Sequence, residues 1–143
     1  RDQMPRLSRF LFGNWLKTCV FKPILNSEEA PEVTVGYRDG HTVTHNRKVC
    51  LSSGLLSVTD EISGFNRKAV LRWRLEPGNW LIEDRILTKD NHSIKVEASM
   101  PVVRFELVTG WESRYYLDKQ PLPVLEVEVN QSGVLTTEYR WKP

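Results

Sequence analysis

Four residues of the chain have the chemical types of a catalytic cluster. His45, Asn46 and Arg47 are consecutive in THNRKVCL, and Asp60 follows in SVTDEI. A histidine beside an arginine and a carboxylate could transfer a proton and stabilise a developing negative charge. Two interpretations are open: these residues form a site, or they belong to the scaffold.

The residues between these segments predict a β-hairpin. The sequence SSG is a turn signal, and apolar residues alternate with polar ones on both sides of it. A two-residue loop at Ser53-Gly54 places Arg47 opposite Asp60 and His45 opposite Ile62. A shift of one residue would mix the polar and apolar faces. The register therefore predicts a structural ion pair between Arg47 and Asp60.

Aromatic and cationic residues near the C-terminus are the best candidates for carbohydrate contact. Trp111, Arg114, Tyr115 and Tyr116 follow one another closely. Sugar rings stack on aromatic faces, and arginine can bind a carboxylate or a sulfate with two hydrogen bonds. The alternative is that strand alternation turns one tyrosine into the core and leaves the other at the rim. His45 is a further contact candidate, although a strand-end histidine bonded to a neighbour is the favoured interpretation.

Alternation with a period of two dominates the chain after residue 32. Such alternation is typical of strands with one buried and one solvated face. Turn signals rich in Gly, Pro, Asn and Asp separate the segments. We therefore predict an all-β fold, an antiparallel two-sheet β-sandwich of roughly nine to ten strands. The clearest alternating segments are 69–76, 94–98, 103–109, 125–129 and 135–141.

The start of the chain has a different character. Aromatic residues there show no clean alternation, so residues 1–31 are predicted to form an irregular N-terminal arm and loop, with a strand around Lys17–Phe21 as an open alternative. Residues 32–143 are predicted to form the sandwich. We expect a single domain, and the start at Arg1 favours a fragment of a longer protein. Phe10, Phe12 and Trp15 are candidates for an apolar docking patch.

Composition and charge exclude several classes of function. The 143 residues carry a formal net charge of +2, with basic residues scattered among acidic ones. This argues against a nucleic-acid partner. No apolar segment is long enough to span a membrane. Cys19 and Cys50 could form one disulfide or none, and we predict no metal site, no cofactor and no catalytic residue.

The order of several short motifs is similar to that of a known family. The segments GYRDGHTVTHNRKVCL, LLSVTDEISG and LRWRLEPG, followed by GWESRYYLDKQPLPVLEVEV and GVLTTEYRW, resemble the late part of the C-terminal domain of heparinase II/III-like proteins. The resemblance spans residues 33–141. In that family a His-x-Arg-x-Val strand leads into a Val-x-Asp strand and then a strand that ends in a Pro-Gly turn.

The resemblance implies a place within a larger enzyme. Family members are bacterial polysaccharide lyases and relatives, many of them encoded near exopolysaccharide genes. They join an N-terminal helical toroid to a C-terminal β-sandwich and cleave uronic-acid-containing polysaccharides by β-elimination. The family's catalytic residues lie mostly in the toroid and early in the β-domain, so none is assigned to this chain.

Three hypotheses follow for function. The first is the C-terminal β-sandwich of a heparinase II/III-like polysaccharide lyase. Such a domain would be inactive alone, would pack on the toroid that this chain lacks, and would contact an acidic polysaccharide as part of its parent protein. The second is a non-catalytic carbohydrate-binding module, and the third is a structural interaction domain. The resemblance also suggests a periplasmic or secreted location.

Overall fold

The computed structural model describes residues 7–9, 13, 16–25 and 30–142. Within these residues the chain forms eleven β-strands and no helix, which confirms the all-β prediction. All strand pairs are antiparallel. In chain order the strands are β1 (Lys17–Leu25), β2 (Glu32–Arg38), β3 (Thr44–Ser52), β4 (Leu55–Ser63), β5 (Ala69–Arg74), β6 (Leu81–Glu83), β7 (Ile86–Lys89), β8 (His92–Ala98), β9 (Val102–Glu112), β10 (Gln120–Val129) and β11 (Gly133–Trp141).

The strands form two sheets that pack face to face. One sheet has eight strands in the order β1-β2-β3-β4-β11-β8-β7-β6, and the other has three in the order β5-β10-β9. Apolar side chains of both sheets share one core, in which Leu87, Leu125 and Val127 are fully buried and Leu135 is almost so. Interdigitated inner faces of this kind define a β-sandwich, as predicted.

The first strand lies within the predicted N-terminal arm. The strand considered around Lys17–Phe21 runs on to Leu25 and pairs along β2 as the edge of the larger sheet. Register shifts interrupt this pairing at two places, between Thr18 and Val20 and between Lys22 and Leu25. Such irregularities break the period of two, and this is why the sequence shows no clean alternation there. The proposed patch at Phe10, Phe12 and Trp15 lies outside the described residues.

The β3–β4 hairpin has the predicted register. His45 pairs with Ile62, and Arg47 pairs with Asp60. Gly54 adopts a positive φ of 70° in the two-residue turn, a conformation that glycine reaches without steric cost. The local signals of turn type and face polarity were therefore sufficient to specify this element.

The outer face of the three-stranded sheet is a ladder of ion pairs. Arg72 and Arg104 each contact Glu126 at 2.6 Å, and Arg104 also contacts Glu128 at 3.2 Å. Lys68 contacts Glu128 at 2.8 Å. Because the carboxylates neutralise the cations, this face is a solvated surface and not a track for a polyanion.

Candidate functional site

The His45–Arg47–Asp60 cluster is held inside the larger sheet. Asp60 is almost fully buried, and the Arg47 Nε and Nη2 atoms donate hydrogen bonds to its Oδ1 and Oδ2 atoms at 2.7 and 3.0 Å. His45 Nε2 lies 2.6 Å from the same Oδ1. The ring of Tyr37 meets the His45 ring edge to face, with 5.2 Å between centroids. The Arg47 guanidinium lies 5.1 Å from the centroid of Trp73 on the opposite sheet.

This geometry favours a structural role for the cluster. Both oxygens of Asp60 are engaged, and the side chain is only 2% exposed. The Nε2 atom of His45 is occupied by that carboxylate, and its side chain is 18% exposed. A proton-transfer group must reach the substrate atom that it serves. The cluster instead ties β3 to β4 around a buried carboxylate, with the Arg47 side chain 36% exposed.

The electrostatics of Asp60 link the cluster to pH. Burial acts to raise the pKa of Asp60, but the hydrogen bonds from His45 and Arg47, together with their charges, outweigh burial and hold the pKa below its usual value. A carboxyl group whose pKa is lower in the folded state stabilises the fold above its unfolded pKa of about 3.9. That contribution is lost as the pH falls through the lower, folded pKa.

We therefore expect the difference in free energy of unfolding between the wild-type chain and the Asp60→Asn variant to depend on pH. The difference should be largest near neutral pH and should shrink as the pH falls below about 4. At that pH the wild-type chain begins to protonate Asp60 and loses the stabilisation that the carboxylate gives, whereas the asparagine of the variant does not titrate. Urea unfolding at a series of pH values measures this difference. A difference that stays constant down to the acid limit of the native fold would contradict the assignment.

The hairpin between β9 and β10 presents the other predicted candidates. Trp111 is 50% exposed, Tyr115 is 75% exposed and Tyr116 is 93% exposed. The alternative in which one tyrosine faces the core is wrong, because β9 ends at Glu112 and both tyrosines lie in the loop. Side chains alternate between faces only within a strand.

Hydrogen bonds within the loop fix its shape. The Tyr115 carbonyl accepts a hydrogen bond from the Ser113 hydroxyl at 2.7 Å and one from the Asp118 amide at 3.1 Å. Leu117 has a positive φ of 63°, which completes the turn. The loop also carries two cations, one paired with a carboxylate and one over an aromatic ring. Arg114 Nε lies 2.9 Å from Glu112, and Lys119 Nζ lies 4.4 Å from the centroid of Trp111.

A cleft of about 210 Å³ opens between the two sheets near this hairpin. The rings of Trp73, Trp80 and Tyr139 line it, together with apolar side chains such as Val58 and Ile94. Its lining also includes polar residues: Arg74, Glu76, His92 and Thr137. Sequence reasoning missed this cleft. Its walls come from β4, β5, β8 and β11, which meet only through pairings between distant segments.

The polar atoms of the three aromatic walls already have partners. Trp73 Nε1 donates to the Thr137 hydroxyl at 3.0 Å and so joins the two sheets. Trp80 Nε1 donates to the Glu76 carbonyl at 2.9 Å. The Tyr139 hydroxyl shares a 2.6 Å hydrogen bond with Nδ1 of His92, whose ring stacks on it. These walls therefore present carbon to the cleft.

The turn at the mouth of the cleft is fastened by Lys89. Its Nζ atom donates to the Glu76 carboxylate at 3.1 Å and to the Pro77 carbonyl at 2.9 Å, and it lies 6.0 Å from the Trp80 centroid. The hydrogen bond and charge of Lys89 lower the pKa of Glu76, and the charges of His92 and Arg114 add to this effect. Pro121 pairs with Trp111, and the Pro123 carbonyl accepts a hydrogen bond from the Leu75 amide at 2.9 Å, so the aromatic hairpin lies at the same end of the sandwich as the cleft.

The residues described here contain no metal-ligand cluster. No group of three or more His, Cys, Asp and Glu side chains among them could hold an ion. Cys19 and Cys50 are both free thiols. Within the same part of the chain, no helix has the length and hydropathy required to cross a bilayer.

The fold and the paired strands define a class: a β-sandwich of the kind found within polysaccharide lyase structures. The chain superposes on the structure of heparan sulfate lyase HepC from Pedobacter heparinus with a TM-score of 0.73 and 12% identity, over 89% of this chain and 22% of that one. Two heparinase III structures give TM-scores of 0.71 and 0.68 at 14% identity, over 87% and 88% of this chain and 21% of each of theirs.

These similarities establish the fold that the sequence resemblance implied. The chain spans only about a fifth of the length of the structures that it matches. No protein-family model and no curated protein matches its sequence.

Proposed function

We propose that this chain is the C-terminal β-sandwich domain of a heparinase II/III-like polysaccharide lyase. In this proposal it supports eliminative cleavage of a uronic-acid-containing polysaccharide by a helical toroid domain outside this sequence. The observation that carries the proposal is the fold match to heparan sulfate lyase and heparinase III structures over 87–89% of this chain.

The reaction needs groups that the described residues do not present together. β-Elimination requires a base for the proton next to the uronate carboxyl group and an acid for the leaving oxygen, with stabilisation of the charge that develops. In the described residues, His45 and Arg47 both bond to the buried carboxylate of Asp60, so these three side chains engage one another. The catalytic groups are therefore assigned to the rest of the parent protein.

The exposed hairpin supports a direct part for this domain in binding the glycan. Tyr115, Tyr116 and Trp111 present aromatic rings to solvent, Lys119 Nζ lies 4.4 Å from the Trp111 centroid, and Arg114 is paired with Glu112. Aromatic rings of this kind bury area at a low entropic cost, and the Lys119 ammonium complements uronate or sulfate groups. His45 is omitted from this contact set because its Nε2 atom is bound to Asp60.

The second candidate function is a carbohydrate-binding module that acts without a catalytic partner. The same hairpin favours it, because exposed aromatic rings at the tip of a rigid sandwich suffice for binding. The two candidate functions differ in whether a helical domain completes the binding site. Both place the contact with the sugar on the β9–β10 hairpin.

Incubation of the purified chain with heparan sulfate tests the proposal. We expect binding, measured by calorimetry, with no rise in the ultraviolet absorbance of unsaturated products. Neutral dextran is the control ligand and should not bind. Formation of unsaturated products by this chain alone would contradict the assignment of catalysis to another domain, and a failure to bind heparan sulfate would contradict the glycan-binding role.

A further inference from the structure

The cleft between the two sheets joins an aromatic interior to polar groups that can orient a ligand. Trp73, Trp80 and Tyr139 supply the rings, and Val58 and Ile94 are buried beside them. Ligand sites are typically concave and largely apolar, with a small number of polar groups that fix orientation. At about 210 Å³, the cleft gives room for one aromatic ring with a short polar substituent.

Arg74, the last residue of β5, lines this cleft, and its side chain has no ion pair or hydrogen bond within the described part of the chain. The strand register explains the difference from its neighbour on the same strand. Arg72 lies opposite Glu126 and pairs with it at 2.6 Å, whereas Arg74 lies opposite Val124. Because Arg74 is also exposed, its guanidinium N–H donors are available to a ligand.

The acidic group of the lining is already neutralised. The Glu76 carboxylate pairs with the Lys89 ammonium at 3.1 Å, so Arg74 leaves a net positive charge beside the cleft. Thr137 adds a donor, because its Oγ1 atom accepts the Trp73 N–H at 3.0 Å and its own hydroxyl proton can be donated. These groups favour a ligand that accepts hydrogen bonds and carries a negative charge.

His92 adds a nitrogen with the same preference. Its Nδ1 atom shares a 2.6 Å hydrogen bond with the Tyr139 hydroxyl. When that hydroxyl donates to Nδ1, the ring proton lies on Nε2, which is then a donor. A carboxylate matches this set, because it only accepts hydrogen bonds and pairs with a guanidinium through two of them.

We propose that the cleft binds a small aromatic carboxylate. The ring of the ligand packs on Trp73, Trp80 and Tyr139, and its carboxylate pairs with the Arg74 guanidinium. A sugar carboxylate fits the site less well, because its ring hydroxyls would lose hydration against walls whose own polar atoms are bonded within the protein. The site is separate from the β9–β10 hairpin and does not depend on the glycan-binding function proposed above.

Titration with phenylacetate, followed by the indole N–H signals of Trp73 and Trp80 in NMR spectra, tests the proposal. Phenylacetate should shift both signals. Phenylacetamide, which has the same ring and no charge, should bind about tenfold more weakly, and methyl glucuronide should bind no better than the amide. The inference is overturned if neither signal moves, if the amide binds as well as the acid, or if the glucuronide binds more tightly than phenylacetate.

Matched arginine variants test the cation. Arg74→Gln should weaken phenylacetate binding about tenfold and leave phenylacetamide binding unchanged. Arg72→Gln is the control, because it removes the arginine two residues earlier on the same strand, which is paired with Glu126, and it should change neither. Equal losses in the two variants, or no loss in Arg74→Gln, would contradict the role of Arg74.

A second pair of variants tests the aromatic wall. Trp80→Ala should abolish the phenylacetate-induced shift at Trp73, whereas Trp80→Phe, which keeps an aromatic face, should retain it. An undiminished shift in Trp80→Ala would place the ligand outside the cleft and contradict the proposal.

The polymer and the small acid together distinguish this inference from the proposed function. If heparan sulfate binds while phenylacetate moves neither indole signal, the cleft assignment fails and the glycan-binding role stands. If phenylacetate binds and heparan sulfate does not, the glycan-binding role fails and the cleft assignment stands.

Discussion

Replacing Arg47 with alanine is expected to lower the free energy of unfolding by about 3 kcal/mol. The variant leaves the buried carboxylate of Asp60 without its two arginine hydrogen bonds, at 2.7 and 3.0 Å. The cost falls at the lower end of the range for a broken buried pair because His45 still bonds to Oδ1. The change also removes the guanidinium from the Trp73 ring and so loosens the contact between the sheets. Urea unfolding followed by tryptophan fluorescence measures the effect.

A matched control and a double variant distinguish the effect of breaking the Arg47–Asp60 pair from the effect of removing any paired arginine. Arg72→Ala removes another arginine that is paired with a glutamate, but on the solvated outer face, and should cost less than about 1 kcal/mol. Adding Asp60→Asn to Arg47→Ala removes the unpaired charge and should recover part of the lost stability. If Arg47→Ala costs no more than Arg72→Ala, the cluster does not stabilise the fold, and a role in ligand binding becomes the better explanation.

The triple variant Trp111→Ala/Tyr115→Ala/Tyr116→Ala is expected to weaken heparan sulfate binding by about tenfold or more. Each of the three side chains is at least 50% exposed, and their loss removes the surface on which we propose that sugar rings stack. The melting temperature should change little because the two tyrosines lie in the loop beyond β9. Calorimetric titration of the native and variant chains measures the difference.

Phe21→Ala provides the control for a general loss of exposed aromatic area. Phe21 is 67% exposed on β1, the edge strand of the larger sheet, whereas the aromatic hairpin joins two strands of the smaller sheet. We expect this variant to bind heparan sulfate as the native chain does. Equal losses in Phe21→Ala and in the triple variant would contradict a hairpin-centred site.

Local signals in the sequence were sufficient for the element that first resembled an active site. The turn at Ser53-Gly54 and the face polarity of its flanking strands specify the register that brings Arg47 to Asp60. The position of β1 was harder to predict because two register shifts break its alternation. Tyr115 and Tyr116 are both exposed because β9 ends at Glu112, before either tyrosine. The position where a strand ends is hard to predict from sequence.

The cleft could not be predicted because its contacts join distant segments. Trp73 and Thr137 are 64 residues apart, and His92 and Tyr139 are 47 residues apart. Each lies in a strand that the alternating pattern identifies, but the pattern does not say which strands become neighbours. The order of the strands in the two sheets decides which side chains share the cleft.

An NMR titration of the chain with a heparan sulfate oligosaccharide tests most directly whether the β9–β10 hairpin binds the glycan without cleaving it. We predict that the largest changes in backbone amide shifts fall in residues 111–119 and in the neighbouring turn at 76–80, with no cleavage of the ligand. Shifts concentrated on β1–β3, around Phe21 and Val35, would contradict it, as would cleavage of the oligosaccharide by this chain alone.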